Sequence, residues 1–202
     1  MKQFWNDKHP KKPIIYQGRA IRGCEDRINV DVRNMIWEDD RMLSAVTNTM
    51  LGSNDDKALS CQRYVVSRIK YVSDKTSANI EECWQYPNET LTTCTGDCED
   101  GAILMASLML NAGVPEWRVR VTAGIVQASP TAETGGHAYV TYCRESDNNW
   151  VVLDWCYLED SKYIVQAKPL FKEKSQYKAI WFSFNNLYSW AHEDYGVIGG
   201  IK

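Results

Sequence analysis

An α+β fold, helices first and an antiparallel sheet after them, is predicted by three features of the sequence. Apolar residues at helical spacing are confined to the first half, from Leu43 to Val72. The stretch Ala102 to Ala112 is apolar nearly all round, which marks a helix at the centre of a domain rather than on its surface. Beyond Gly113 and Pro115 the period changes to two, in segments parted by polar turns. At 202 residues the chain suits one domain with a good-sized core. Its charge, 23 basic minus 26 acidic, is −3 and excludes a nucleic-acid footprint built on a strongly basic face. The least polar stretch contains Ser107 and Asn111 and falls short of the roughly 20 residues of a membrane span. Met1 to Lys8 has no apolar core of a secretory leader, so a cytoplasmic location is expected.

Residues 1–34 read as an arm, in which Lys8, Lys11, Lys12, Arg19 and Arg22 mix with Phe4, Trp5, Ile14, Ile15 and Tyr16 without a helical period. Two readings stand: a strap over the domain surface, or a docking arm for a partner. The domain proper is expected over 35–195, and 196–202, with Gly196-Val-Ile-Gly-Gly200, as a tail. Leu43, Val46 and Met50 predict a first helix that stops at Gly52. Ser53 or Asn54 then caps a second, with the stripe Ala58, Leu59, Gln62, Val65, Val66, Ile69 and Val72. From Ser73 to Gly96 the pattern dissolves into a long loop, a length that is usually functional. Gly113 and Pro115 end the central helix in the expected order. Trp117, Val119 and Val121 alternate with Arg118, Arg120 and Thr122 as a half-exposed strand. His137–Cys143 and Trp150–Asp154 form two more around a polar turn, and Ala179–Phe184 is the last.

Seven cysteines, at 24, 61, 83, 94, 98, 143 and 156, lack paired zinc-ligand spacing, and the histidines stand only at 9, 137 and 192. Most of these thiols read as buried small hydrophobes. Cys98 does not. In Gly96-Asp97-Cys98-Glu99-Asp100 it falls in the first turn of the central helix, whether Thr95 or Asp97 is the N-cap. There the unpaired N–H groups and the macrodipole favour a thiolate, the nucleophilic form. Asp97, Glu99 and Asp100 push the other way unless they point aside or a cation sits among them. Gly23-Cys24-Glu25-Asp26 has nearly the same letters but leads into the alternation Ile28, Val30, Val32, so Cys24 is a decoy.

A thiolate needs a base, and His137 is the histidine within the patterned core. If the hairpin is centred between Glu145 and Ser146, Thr141 faces Trp150, Tyr139 faces Val152 and His137 faces Asp154. Directly opposed residues hold their Cβ atoms about 5 Å apart, so Asp154 can orient the imidazole that addresses Cys98. The alternative is a satisfied core histidine beside a chance aspartate. The same register sets Cys143 opposite Asn148, far along the strand from Cys156, which excludes a disulfide between them.

The Gly96-Asp-Cys-Glu-Asp100 segment resembles the transglutaminase-like superfamily, in the branch of bacterial transglutaminase-like cysteine proteinases. Cys83-Trp-Gln-Tyr-Pro-Asn-Glu-Thr90, His137-Ala138-Tyr139 and Trp150-Val-Val-Leu-Asp154 extend the resemblance, which covers residues 64 to 157 well and the ends poorly. It implies a papain-like core, with the cysteine at the start of a buried helix and a Cys98, His137, Asp154 triad. It also implies that the Gln85 amide, beside Trp84 and with the backbone N–H of Cys98, binds the developing oxyanion, packing within the loop being the plainer role for both residues. Some members bind calcium through acidic residues that correspond to Asp97, Glu99 and Asp100, an all-oxygen set suited to that ion; helix capping is the other reading. No further cofactor is implied. The reaction implied is amide acyl chemistry, first the hydrolysis of a protein or peptide substrate, with transfer to an amine served by the same residues. A non-catalytic assembly module is the remaining class, and since such chains occur in phage genomes it would be virion-associated. The loop Gln127 to Gly136 is expected to wall the site.

Overall fold

The computed structural model describes residues 9–20, 27–79, 82–157, 168–169, 176–192 and 196–198. Helix α1, Arg41–Thr47, starts where the Asp40 carboxylate accepts the N–H groups of Met42 and Leu43. Helix α2, Asn54–Arg68, starts at Ser53, whose hydroxyl accepts from Asp56 N–H while Asp56 accepts from Ser53 N–H. Two short helices follow, α3 at Asp74–Ser77 and α4 at Pro87–Thr93. The central helix α5 is Cys98–Asn111, and every side chain of Ala102–Leu110 is buried. Each large apolar side chain so buried contributes about 1.5–3 kcal/mol. Gly113 ends α5 in the left-handed region, φ +83°, where Val114 N–H returns to the Met109 carbonyl.

Strands β1 (Ile15–Ala20), β2 (Arg27–Asp31), β3 (Lys70–Tyr71) and β4 (Thr95–Gly96) precede the main sheet. The sheet itself is built from β5 (Val119–Gln127), β6 (Thr134–Cys143), β7 (Trp150–Leu153), β8 (Lys168–Pro169), β9 (Tyr177–Phe184) and β10 (Ser189–Ala191). These six run in the order β10-β9-β5-β6-β7-β8, antiparallel throughout, and α5 packs across β5 and β6. One face meets α5 with Val121, Val140, Tyr142, Val151, Leu153 and Phe184; the other carries a smaller cluster of Val126, Tyr139, Cys143, Trp150, Val152 and Tyr177. No helix among the described residues is long and apolar enough to cross a membrane.

The arm departs from expectation in its described part. Ile14, Tyr16, Val30 and Val32 lie in the main core, and β1 pairs with β2 and, in parallel, with β11 at Val197–Ile198. Ile14, Tyr16, Val30 and Val32 recur at every second residue, so the described parts of this segment, with residues 196–198 of the tail, belong to the domain instead of lying over it. The Cys24 motif, Phe4, Trp5, Lys8 and Arg22 fall outside the described residues. The expected loop Ser73–Gly96 holds α3, α4 and β4, which pairs in parallel with β3 just before it. Pro87 at the first helical position and Glu89, which accepts Tyr86 N–H at 2.7 Å, set the start of α4.

Strand β5 is buried on both faces, not half exposed, because α5 packs on one face while Trp190 and the cluster of Val126, Tyr139 and Tyr177 cover the other. Its polar side is made compatible with burial by stacking: the Arg120 guanidinium lies 3.6 Å from the Trp190 ring, and desolvation lowers its pKa to about 10. Thr122 and Thr141 share a hydrogen bond at 2.9 Å. The β6–β7 register also differs: Val140 pairs with Leu153 and Cys143 with Trp150, a slip of two residues from the expected pairing. Asn148 takes a left-handed φ of +55°, and Asp55 of α2 accepts from Tyr142 OH and from the N–H groups of Glu145 and Ser146. The turn is thereby centred one residue later. A slip of two preserves the face of every side chain. Cys143 and Cys156 carry reduced thiols.

Candidate active site

Cys98 is the first residue of α5, with Asp97 as N-cap. The helix start is fitted against Trp155, whose indole N–H donates to the Cys98 carbonyl at 3.2 Å. A Cβ at Gly101 would stand 2.3 Å from that indole, so glycine is required for the approach. The half-buried Cys98 thiol donates to Glu99 Oε2 at 3.2 Å. Burial pushes its pKa well up and the Glu99 charge pushes further, while a hydrogen bond from the Ala138 N–H opposes both.

Ala138 follows His137 in β6, so the strand that touches the sulfur also delivers the imidazole. His137 Nε2–H donates to Asp154 Oδ2 at 2.7 Å, with both side chains buried. Asp154 stands just past β7, and the two-residue slip makes this pair diagonal, within reach because both project from one face. The same Oδ2 accepts from Tyr177 OH at 2.8 Å, and Oδ1 accepts from the N–H groups of Cys156 and Tyr157 at 2.8 and 3.3 Å. Gln62 fixes the Asp154 carbonyl at 2.9 Å. With Nε2 committed, Nδ1 is the ring nitrogen left for the thiol. Tyr157 packs on the imidazole at 4.7 Å between ring centres.

Gln85 and Trp84 are placed differently from the roles the resemblance implies. The Gln85 side-chain amide donates to Asp100 Oδ2 at 2.7 Å and to the Thr95 carbonyl at 3.3 Å, and its backbone N–H donates to Asp100 Oδ1 at 2.7 Å. Both amide hydrogens are taken, because the fully buried Asp100 carboxylate needs donors. Gln85 therefore offers no donor to an oxyanion in this arrangement. Trp84 is a core residue, stacked on Tyr16 at 4.7 Å and on Phe184 at 6.1 Å. The segment Gln127–Gly136 is the turn between β5 and β6 with the adjoining strand ends, and it does not line the cavity beside His137.

Asp97, Glu99 and Asp100 do come together, joined by two residues that sequence reasoning missed. Carboxylate oxygens of Asp74, Asp97 and Asp100 lie within 4.8 Å of one another, as do those of Asp74, Glu82 and Glu99. Asp74 stands in what reads as loop, 23 residues before Asp97, and no local pattern signals the meeting. Burial first, then the neighbouring carboxylates, raise the Asp74 pKa to about 7 and that of Asp100 to about 8, and push Glu99 well up. Asp97 Oδ1 and Glu99 Oε1 are buried without a hydrogen-bond partner. Capping is also present, since Asp100 Oδ2 accepts Asp97 N–H at 3.2 Å, but it leaves those two oxygens unexplained. An all-oxygen set with unmet acceptors fits a calcium ion.

Beside His137 opens a cavity of about 460 Å³, walled by Val66, Ile69, Tyr71, Trp155, Cys156 and Tyr157.

Residues 41–155 match the family model described as the transglutaminase-like superfamily. No match to a curated protein sequence was found. Among solved structures, EGTA-treated Legionella pneumophila LapG is similar at 18% identity and a TM-score of 0.50, covering 75% of this chain and 84% of that one. Calcium-bound Legionella pneumophila LapG is similar at 18% identity and a TM-score of 0.50, covering 78% of this chain and 90% of that one. At that identity the likeness speaks to the fold alone: mixed helix and sheet, with α5 packed on an antiparallel sheet.

Proposed function

Since this chain belongs to the transglutaminase-like superfamily, we propose that it performs thiol-dependent hydrolysis of a protein or peptide amide through Cys98, His137 and Asp154. The observation that carries the reading is the buried His137–Asp154 contact of 2.7 Å, delivered by the strand whose next N–H holds the Cys98 sulfur. A merely structural histidine needs one partner; this one rests on a carboxylate that three further donors orient.

The Cys98 thiol gives its proton to His137 Nδ1, and the sulfur attacks the substrate carbonyl carbon. The tetrahedral oxyanion accepts the unpaired N–H of Cys98 at the helix start. Imidazolium, held by Asp154, returns its proton to the leaving nitrogen as the C–N bond breaks and a thioester remains. His137 then deprotonates a water that attacks the thioester, and the sulfur leaves. Asp154 does not take the proton; it fixes the tautomer and balances the imidazolium.

Asp74, Asp97, Glu99 and Asp100 would hold calcium, and Glu82 stands beside them. That ion, when bound, supplies positive charge to the buried carboxylates. Glu99 is the residue through which the cluster meets the thiol, since its Oε2 receives the S–H. With its charge balanced, Glu99 no longer opposes a thiolate at Cys98.

The test is labelling by iodoacetamide, located by mass spectrometry, alongside peptide hydrolysis. Cys98→Ala should lose both the rapid label and hydrolysis, while Cys24→Ala keeps both. A dead Cys24→Ala, or an active Cys98→Ala, would overturn the assignment. Product linked to an added amine in place of free acid would identify transfer instead of hydrolysis.

A further inference from the structure

We propose that the cavity beside His137 is a substrate subsite for a bulky uncharged side chain, aromatic or branched aliphatic, next to the amide that Cys98 attacks. This rests on the cysteine-hydrolase reading and adds the substrate class to it. Continuity with the reacting groups is direct, because His137 itself forms part of the wall. The remaining wall combines apolar side chains with two tyrosines and a cysteine. Val66 and Ile69 come from the end of α2, Tyr71 from β3, and Trp155, Cys156 and Tyr157 from the segment after β7; among the described residues no Asp, Glu, Lys or Arg lines the space. At about 460 Å³ it falls within the ordinary range for ligand pockets and takes an aromatic side chain with room for backbone.

Two tyrosines at this wall are left to solvent, Tyr71 at 54% and Tyr157 at 46% exposure, each with one ring face already backed: Tyr71 by Trp155 at 5.9 Å, Tyr157 by His137 at 4.7 Å. An entering apolar side chain covers that surface without moving the wall, for the floor is rigid. Trp155 is pinned to the Cys98 carbonyl and wedged against Gly101. An acidic side chain would have to leave its charge against a wall with no Lys or Arg among the described residues. A basic side chain would have to leave its charge against a wall with no carboxylate among the described residues.

Peptidyl chloromethyl ketones carrying Phe, Leu, Gly, Glu or Lys at each of the two positions before the electrophile, offered to the full chain, test this by the rate of Cys98 alkylation. At one position Phe and Leu should react about tenfold or more faster than Gly, Glu or Lys, the scale on which pockets distinguish apolar groups. In Val66→Trp, which fills the cavity, and Tyr71→Ala, which removes a wall, the Phe-to-Gly ratio should fall towards one. The ratio is independent of overall reactivity. Tyr71 is exposed, so its variant carries the test should Val66→Trp fail to fold. Equal rates for all probes, a Lys or Glu preference, or an unchanged ratio in the folded variants would overturn the inference. If iodoacetamide labels Cys98 while the probes do not discriminate, the subsite fails and the hydrolase reading stands. If Cys98 is inert to both, the hydrolase reading fails, and the subsite with it.

Discussion

Asp154→Asn isolates the part of the site that orients the base. Asp154 Oδ1 accepts two backbone N–H groups, so an asparagine must keep its oxygen there and turn its NH2 towards the position of Oδ2. At that position His137 Nε2 stands at 2.7 Å and Tyr177 OH at 2.8 Å, both donors to the native carboxylate. A donor now meets two donors. The imidazole relieves the conflict by moving its proton to Nδ1, the nitrogen meant to receive the thiol proton, and imidazolium loses its counter-charge. The same exchange in a serine triad costs about 10⁴ in turnover. A cysteine enzyme with an acidified thiol would suffer less, but here burial and Glu99 push the thiol up, so Cys98 depends on His137 for deprotonation. We expect about 10³ in kcat/KM, which is about 4 kcal/mol of transition-state stabilisation. Loss of a charge-assisted bond in a buried network costs about 1–3 kcal/mol of stability, or a fall in Tm of roughly 3–10 °C. Peptide hydrolysis and a melting curve on one preparation measure both. Activity within tenfold of wild type, in a folded variant, would refute the orienting role.

Other expected outcomes follow from neighbouring contacts. Calcium at about a hundred times its Kd should stabilise the chain by about 2.7 kcal/mol, a rise in Tm of about 5–10 °C that a chelator reverses; an unchanged Tm would leave the acidic residues as caps. The rise should be larger at pH 8 than at pH 5. Carboxyls held near 7 at Asp74 and near 8 at Asp100 stay protonated in the fold where the unfolded chain has released those protons, so metal-free stability falls as pH climbs from about 4 through 8. A flat metal-free profile between pH 5 and 8.5 would count against this. Glu99→Gln should speed iodoacetamide labelling of Cys98 several-fold in metal-free protein at alkaline pH, once the raised pKa of Glu99 has been passed, by removing the charge 3.2 Å from the sulfur; slower labelling there would contradict the assigned repulsion. Tyr177→Phe should lower kcat only about two- to tenfold at a cost of about 1 kcal/mol in stability, since it removes one donor from Asp154 and leaves the other three. Loss as large as that of Asp154→Asn would make Tyr177 a principal member of the site.

The residues legible in the sequence are those whose chemistry is announced by local structure. Cys98 is marked by the junction of a polar segment with an all-apolar helix, and the N-cap at Asp97 bears this out. His137 and Asp154 are marked by a hairpin, where the decisive quantity is parity, not register. A turn misjudged by one residue moves the pairing by two and leaves both side chains on one face, so a wrong register still brought the right pair together. What stayed hidden depends on distant partners. Arg120 reads as solvent-facing because nothing near it in the chain predicts Trp190 beneath its guanidinium. Gln85 is aligned with an oxyanion role by its neighbours in sequence, yet a buried carboxylate 15 residues away takes both its amide hydrogens.

The same distinction explains why the acidic trio reads two ways along the sequence, and what the assembled cluster adds to that reading. Along α5, Glu99 and Asp100 are ordinary first-turn residues, and a capping role accounts for either. Only with Asp74 brought in from α3 do buried carboxylates share one small volume, with Asp97 Oδ1 and Glu99 Oε1 unmet. Caps are satisfied by definition, and an orphaned buried carboxylate oxygen costs too much to be kept without use. The cost falls at Glu99, one residue from the nucleophile and in hydrogen-bond contact with it. Whatever balances that charge therefore acts on the thiol directly, without any movement of the backbone.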